Sequence, residues 1–557
     1  MNFTIYNCIL LITNYIVLVL KINYLAMNSL SRSIVLYFVL GFLVNLSIML
    51  ETKKLLMIIF PGGTSHNFVL KSLFNYTTTH QDKYKYEYHI IVHNIDVNIW
   101  RDLNESQGYY LYNYGDVEQS REHLIKSLEM MNDNPNFGFL GFNKGMIFHC
   151  KEFMESGLLQ RLKGHHFDAI ATDVPTFIHV LLAKELNITN KIYISPPALP
   201  QVFYHNFEIN PSYTPSVGCK YTDQMSFRER FNNFFFQNAA KVMFAYFQYW
   251  QSSFMSTYGY NLGNIIHFID AMHFIQYPLA ITFPISTPPN FVLLNSVTPK
   301  DSISMSISDP KIDVFLSKHK VNVYLSQGTI MNIINIQEQI DIFNYFKKFD
   351  YGFVLSFSKN TLSEESIKKM PDNVYVTRWV NQNDILGDKR IHLFITHGGI
   401  NSVGEAVYHQ KPMVVLGVGL DQLNTAAFIK KLNLGVVIQD RYLLTPQYLI
   451  KSIEDAVHNQ TYIENVKKIS SIMRDTKDPR EEFKYWLDFG YTHGYKSLVI
   501  DEYINGNWFS LNGFDVFAVF ALIVFIFLYI TIKFWKMVYN CMFGTCEKKK
   551  KRKNKID

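Results

Sequence analysis

Residues 321–438 repeat one pattern that leaves few folds open: short apolar runs of strand character, separated by polar turns and helical stretches. The runs are residues 321–325, 352–355, 374–376, 391–396, 413–416 and 435–438, and the stretches between them include 341–348 and 422–432. Strands that alternate with helices build a mostly parallel sheet covered on both faces, and such sheets bind ligands at the carboxyl ends of their strands. An earlier region begins the same way. Residues 55–60 form an apolar strand, Pro61, Gly62 and Gly63 a turn, and a helix opens near Ser65 and His66 before a second strand at 89–93. Residues 169–172, 177–186 and 191–194 then read as strand, helix and strand. The polar, serine-rich stretch 296–308 separates the two regions.

A chain of 557 residues is several times the usual domain size, and with 45 Phe, 35 Tyr and 48% hydrophobic residues it is not a disordered polymer. The formal charge is +6, but the nine Lys and Arg from Lys533 onward outweigh Glu547 and Asp557 by +7, which leaves −1 for the rest. That distribution excludes a basic nucleic-acid-binding body. Five cysteines in a chain this long make no disulfide framework, and Cys150 and Cys219 are expected to be ordinary buried or unpaired thiols. No Asp-x-Asp and no histidine cluster in the sequence suggests a metal site.

The termini point to a membrane. Residues 516–532 are uncharged and apolar, and Phe514, Phe534 and Trp535 extend them to the length that crosses a bilayer. The basic run that follows predicts a cytosolic tail and a lumenal body, and this run by itself reads as a solvated, disordered segment. Lys553 and Lys555 stand in a terminal K-x-K-x-x arrangement that resembles a dilysine retrieval signal of endoplasmic reticulum membrane proteins. Residues 34–50, after Arg32, have the profile of a signal sequence; the apolar run 5–20 upstream conflicts with this topology unless Met27 is the working start or that run does not span. Sequons at Asn75, Asn104, Asn187 and Asn459 fit a lumenal, glycosylated body. The organisation expected is a targeting region at 1–50, a first α/β domain at 51–295, a second at 296–510, a transmembrane helix at 514–535 and a tail at 536–557.

Residues 395–405 compress a strand, a glycine turn and a helix start into eleven positions, so that backbone N–H groups face one point and form an anion cradle. His397, Asn401 and Ser402 can donate to a phosphate there, and Glu405, one turn on, can accept from hydroxyls. Ser326, Gln327, Gly328 and Thr329 make a second small turn, after the strand at 321–325, whose backbone a ligand could approach closely. The aromatic-rich stretch 227–260, with Phe234, Phe235 and Phe236 adjacent, reads as a helix whose rings pack into the core or else line a pocket for an apolar ligand.

Trp379, Val380, Asn381 and Gln382 before the cradle, and Pro412, Met413, Val414, Asp421 and Gln422 after it, resemble the donor-binding signature of the UDP-glycosyltransferase family. Asn210 to Pro215, Asp223 to Phe227, and Trp486 with His493 and Gly494 look like further signatures, so the resemblance covers most of the chain from about Leu55. Its nearest likeness is to insect enzymes of the family and their insect-virus relatives that glucosylate ecdysteroids. The anchor counts against the viral enzymes, which are generally secreted. Departures stand at Gly417, at Gln327 and at Asn295-Ser296, and they bear on the linker and on some donor contacts.

The resemblance implies an α/β fold of GT-B type, two Rossmann-like domains facing a cleft, with one C-terminal transmembrane helix. It implies that Trp379 stacks on uracil and Gln382 contacts the ribose. His397, Gly399, Asn401 and Ser402 would hold the diphosphate, Glu405 the ribose hydroxyls, and Asp421 and Gln422 the transferred sugar, with Val380, Gly328 and Thr329 completing the donor site. His66 matches the family's general base, suited by an imidazole's ordinary pKa of about 6.5, and Asp173 the carboxylate that orients it. Asp168 competes with Asp173 but precedes its strand. The implied enzyme is an inverting hexosyltransferase that uses no cofactor beyond its UDP-sugar, expected to be UDP-glucose, and acts on a small lipophilic acceptor such as a steroid, phenol or xenobiotic. It would be a single-pass type I protein of the endoplasmic reticulum membrane, with self-association left open. The rival expectation is a non-catalytic, membrane-anchored protein that binds a lipophile on the same fold.

Overall fold

The computed structural model describes residues 50–123, 126, 138–174, 176–197, 210–261, 270–326, 328, 345–357, 367–368, 370–417, 419, 421–438, 445–499, 510 and 513–553. The expected signal region before Leu50, Gln327, Thr329 and residues 341–344 of the helix expected at 341–348 lie outside the described residues.

Two sheets organise the protein. The first takes β1 (Glu51–Ile58), β2 (Tyr84–His93), β3 (Tyr109–Tyr114), β4 (Ala169–Thr172), β5 (Lys191–Ser195), β6 (Met272–Gln276) and β7 (Phe291–Leu294) in the order β3-β2-β1-β4-β5-β6-β7. The second takes β8 (Val321–Ser326), β9 (Tyr351–Ser356), β10 (Val374–Thr377), β11 (Ile391–Thr396), β12 (Met413–Leu416) and β13 (Gly435–Ile438) in the order β10-β9-β8-β11-β12-β13. Every pair with a defined register is parallel. In both sheets the strand order reverses once, between β1 and β4 and between β8 and β11, and such a switch point opens a crevice at the carboxyl ends of its strands.

The main helices are α1 (Thr64–Thr79), α2 (Gly138–Glu155), α3 (Phe177–Glu185), α4 (Phe227–Ser256), α5 (Gln382–Gly387), α6 (Ile400–Tyr408), α7 (Asp421–Lys431), α8 (Pro446–His458), α9 (Gln460–Asp475), α10 (Pro479–His493) and α11 (Phe514–Lys553). Alternate residues of each strand serve opposite faces. Phe394 packs with Val403 and Phe428 on one side of the second sheet, whereas Leu393 and Ile395 pack with Leu449 and Ile453 on the other. In the first sheet Leu56, Ile58 and Ile170 meet Phe153, Phe177 and Leu181.

After the second sheet the chain returns to the first. Phe483 on α10 lies 6.3 Å from the ring of Phe74 and 4.7 Å from that of Phe274. The Tyr86 hydroxyl donates to Asp488, whose other oxygen receives Lys484 Nζ at 2.9 Å. Cys150 and Cys219 are buried free thiols, the former with its pKa raised to about 12 by burial.

Three expectations need correction. β2 starts well before residue 89, and β3, β6 and β7 were not anticipated: β3 reads YYLYNY and β6 reads MHFIQ, and neither shows a period of two. Most aromatic residues of the N-terminal half of α4 do not pack into the core, although Phe247 and Phe254 further along do. Asn233, Phe247, Gln251 and Met255 form the buried face, while Phe227, Phe231, Phe234, Phe235 and Phe236 are 49–75% exposed. The basic tail is not irregular either, since α11 continues through Lys553. Lys and Arg are strong helix formers, and positive charge at a helix C-terminus complements the helix dipole. Residues Phe514–Met542 of α11 have a mean hydropathy of 2.6, long and apolar enough to cross a membrane.

Candidate active site

The carboxyl ends of β1 and β4 set the first half of the site. β1 leads through Phe60, Pro61 and Gly62 into α1, which presents His66 in its first turn. Gly62 takes a φ of +80°, a left-handed conformation that glycine adopts without strain. Asp173 follows β4 directly. Its fully buried side chain accepts the Phe60 N–H at 2.9 Å with Oδ1 and lies 3.0 Å from His66 Nδ1 through Oδ2. The His66 side chain keeps about a fifth of its surface open. Asp168 is spent elsewhere, accepting the Lys54 N–H at 2.8 Å at the opposite end of β4. Asp96, which the sequence reading missed, is buried beside these groups and accepts the Gly62 N–H at 2.6 Å. Burial raises its pKa to about 6.

The carboxyl ends of β8, β11 and β12 set the second half. Gly398 has a φ of +87° and Gly399 caps α6, whose N-terminus has no side-chain cap and no acidic residue in its first turn, so its amides stay available to an anion. The His397 ring lies between two bare glycines. A Cβ on Gly328 would fall 2.6 Å from His397 Cε1, and one on Gly399 would fall 2.6 Å from Nε2. Gly328, with a φ of +80°, is therefore approached first by His397 rather than by ligand alone. Burial lowers the His397 pKa to about 4, which keeps the ring neutral, and its Nδ1 is shielded from solvent without a protein partner.

Gln382 Nε2 donates to Ser402 Oγ at 3.1 Å and to Glu405 Oε2 at 2.8 Å, tying α5 to α6. Burial raises the Glu405 pKa. Val380 is buried, whereas Trp379 is 58% exposed and offers a free aromatic face. Asp421 opens α7 with its pKa raised to about 6 by burial, partly offset by the charge of His66. Gln422 follows it and is buried.

The two halves meet. His66 and Asp421 are close enough for their charges to interact, the rings of Phe68 and Trp379 lie 5.7 Å apart, and Gln276 at the end of β6 donates to Asn401 Oδ1 at 2.5 Å. Gln276, also missed, donates to Pro196 O at 3.0 Å and accepts the Val297 N–H at 3.0 Å.

Over 513 of its residues, 40–552, the chain matches the family described as UDP-glucoronosyl and UDP-glucosyl transferase. The chain belongs to that family. It is a glycosyltransferase that uses a UDP-sugar. UDP-glucuronosyltransferase 2B30 of Macaca fascicularis is 26% identical over 399 residues, covering 68% of this chain and 72% of that protein. UDP-glycosyltransferase UGT4 of Dactylopius coccus is 28% identical over 375 residues, covering 61% and 68%. A variant of Os79 from O. sativa, solved in complex with UDP, superposes with a TM-score of 0.55 at 13% identity, covering 78% of this chain and all of that one, so the GT-B fold is shared.

The fold also assembles a group that the sequence hid: His93 at the end of β2 and His149 and Glu152 on α2 bring ligand-type atoms within 4.8 Å of one another. These atoms already serve each other. Glu152 takes the Asp116 N–H at 2.8 Å, Ser120 Oγ at 3.0 Å and His149 Nδ1 at 3.1 Å, while His93 Nδ1 accepts the Ile95 N–H at 3.1 Å. The last bond leaves the proton on His93 Nε2, directed at Ser120 and Glu152. That arrangement satisfies a carboxylate and leaves His93 no lone pair for a cation.

Proposed function

We propose that the protein transfers glucose from UDP-glucose to a hydroxyl of a small lipophilic acceptor, with inversion at the anomeric carbon. The observation that carries this reading is the contact of His66 Nδ1 with the buried carboxylate of Asp173 at the mouth of the β1/β4 crevice. With Nδ1–H held by Asp173, Nε2 is free to take the acceptor proton. The acceptor oxygen attacks the sugar C1, its proton passes to His66, the bond from C1 to the diphosphate breaks, and UDP leaves. Asp173 stabilises the imidazolium formed.

His397, the amides of α6, Asn401 and Ser402 suit the departing diphosphate, where fixed donors act most strongly on the barrier. Glu405 and Gln382 suit the ribose and the exposed ring of Trp379 the uracil. Asp421 and Gln422, opposite His66, suit the sugar hydroxyls. Among the described residues, the charges that bear on Asp421 and Asp96 are those of His66 and Asp173. Such surroundings favour a neutral hexose over a uronate, whose carboxylate would meet uncompensated acids. The apolar span of α11 and the basic residues after it support a body held at the lumenal face of the endoplasmic reticulum membrane.

The test is UDP release from UDP-glucose and from UDP-glucuronate with a panel of phenols, steroids and other lipophilic alcohols, the parent beside His66→Ala. Turnover in the parent alone supports the reading. Equal turnover in both removes the base, and UDP binding without turnover by the parent leaves a binding protein.

A further inference from the structure

The turn that carries His66 has an unusual hydrogen-bond problem. Between the end of β1 and the start of α1, Pro61 has no N–H, so Phe60 and Gly62 supply the amides on either side of it. Neither is satisfied by the turn itself. Phe60 N–H goes to Asp173 Oδ1 at 2.9 Å, and Gly62 N–H goes to Asp96 Oδ2 at 2.6 Å. Asp96 is brought there by the end of β2, where its own N–H donates to His93 O at 3.0 Å. Two buried carboxylates from neighbouring strands thus grip the one turn whose geometry sets where the imidazole points.

We propose that Asp96 is a positioning residue for glycosyl transfer, fixing the Pro61-Gly62 turn and through it His66, in parallel with Asp173. This rests on the reading of His66 as the base. A single buried acid beside a catalytic pair would ordinarily be excluded, because taking a second negative charge out of water next to Asp173 is costly. Its presence needs a compensating contact, and the Gly62 amide provides one that no apolar residue could replace.

The charge has its own consequence. Among the described residues, the titratable groups whose charges bear on Asp96 or His66 are Asp173 after β4, Tyr114 at the end of β3 and Asp421 at the start of α7. The imidazole of His93, on Asp96's own segment, is turned to Ser120 and Glu152. Asp96 carries a pKa of about 6, raised first by burial and further by Asp173, and lowered by the Gly62 amide and His66. The carboxylate form is the one the Gly62 amide stabilises, so the grip on the turn weakens as Asp96 takes a proton.

The experiment compares Asp96→Ala, Asp96→Asn and His66→Ala in the full-length protein. An Asn side chain can still accept from Gly62, whereas Ala cannot. The expected result is that Asp96→Ala lowers kcat about 10- to 100-fold with the UDP-sugar KM within about two-fold. Asp96→Asn should recover most of that loss, because its side chain keeps an acceptor for the Gly62 amide. Parent-like kcat in Asp96→Ala overturns the proposal, as does an equal loss in Asn and Ala or a loss that falls on KM instead of kcat. His66→Ala separates the two readings. If it is inactive while Asp96→Ala behaves as the parent, only the role of Asp96 falls; if it turns over normally, the base assignment falls with it.

Discussion

Asp173 and His66 are joined at 3.0 Å, and the same carboxylate holds the backbone at Phe60, so the imidazole and the strand end that delivers it are fixed by one side chain. His66→Ala should reduce kcat by about 10²–10⁴-fold, the usual contribution of a positioned base. Asp173→Asn should cost about 10–10³-fold, since it loses the charge that stabilises the imidazolium but keeps an acceptor for Phe60. In both variants UDP affinity by calorimetry should stay near the parent's. A large loss of UDP binding in His66→Ala would show that the residue serves the donor site instead.

Gln276 is nearly fully buried and serves Pro196, Val297 and Asn401 together. Gln276→Leu keeps the volume and removes every one of these bonds. Each buried group left unpaired costs about 1–3 kcal/mol, so the thermal midpoint should fall measurably. The KM for the UDP-sugar should also rise several-fold, because Asn401 loses the contact that orients it beside the cradle. A lower midpoint with an unchanged KM would confine Gln276 to a structural role.

Much of this was legible in the sequence, and the gaps have physical causes. The second sheet was readable because its strands are short and mostly apolar, with single polar residues such as Asn322 and His392, and are separated by turns and helical stretches. In the first sheet β3 is an edge strand made mostly of tyrosines, and β6, though buried and paired on both sides, places His273 and Gln276 among apolar neighbours, so neither shows the signature of a buried strand. His66 and Asp173 were named through the family resemblance, and the 395–405 segment stood out because strand, glycine turn and helix start lie together in it. Asp96, Gln276 and the group of His93, His149 and Glu152 gain meaning only from partners on other strands or helices, which linear spacing does not reveal. The phenylalanines of α4 misled for a different reason: composition tells how apolar a helix is, but not which face the fold leaves uncovered.

The Glu152 carboxylate should make stability depend on pH. Burial alone would raise its pKa, but hydrogen bonds from His149, the Asp116 N–H and Ser120, with the His93 imidazole alongside, bring it down to about 2. A carboxylate depressed in the folded state contributes stability that is complete above its unfolded pKa of about 4.5 and is lost as pH falls through about 2. Glu152→Gln should therefore destabilise the protein by about 2–3 kcal/mol at pH 7, with the difference from the parent shrinking below about pH 4.5. Denaturation midpoints of both proteins at pH 7 and pH 3.5 check this, and a gap that widens on acidification would contradict it.

Residues Phe514–Met542 would run about 43 Å as a straight helix, more than the roughly 30 Å of hydrocarbon in a bilayer, and their side chains find no cover in the protein. A chain ended after Gly513 should move from the membrane fraction to the soluble fraction upon cell lysis while keeping its UDP affinity. Continued sedimentation with membranes at high salt would mean that another surface, such as the outward aromatic face of α4, holds the protein there.

Gly328 and Gly399 should be intolerant of any side chain, for a reason specific to His397. Each would place a Cβ 2.6 Å from a ring atom of that histidine, closer than carbon atoms approach without displacement, and the ring is confined from both sides at once. At Gly328 the φ of +80° adds backbone strain of about 1–2 kcal/mol for any L-residue. Gly399 lies outside the left-handed region, so Gly399→Ala tests the steric effect alone. Both variants should fold, since the displaced ring lies at the strand ends rather than in the core, and both should lose UDP affinity by about ten-fold or more as His397 swings out of line with the α6 amides. Gly328→Ala should also lower the thermal midpoint, and Gly399→Ala should leave it closer to the parent's. Calorimetry with UDP and thermal denaturation on the same samples separate the two effects. Parent-like UDP binding in Gly399→Ala would show that the position of His397 does not matter to the donor.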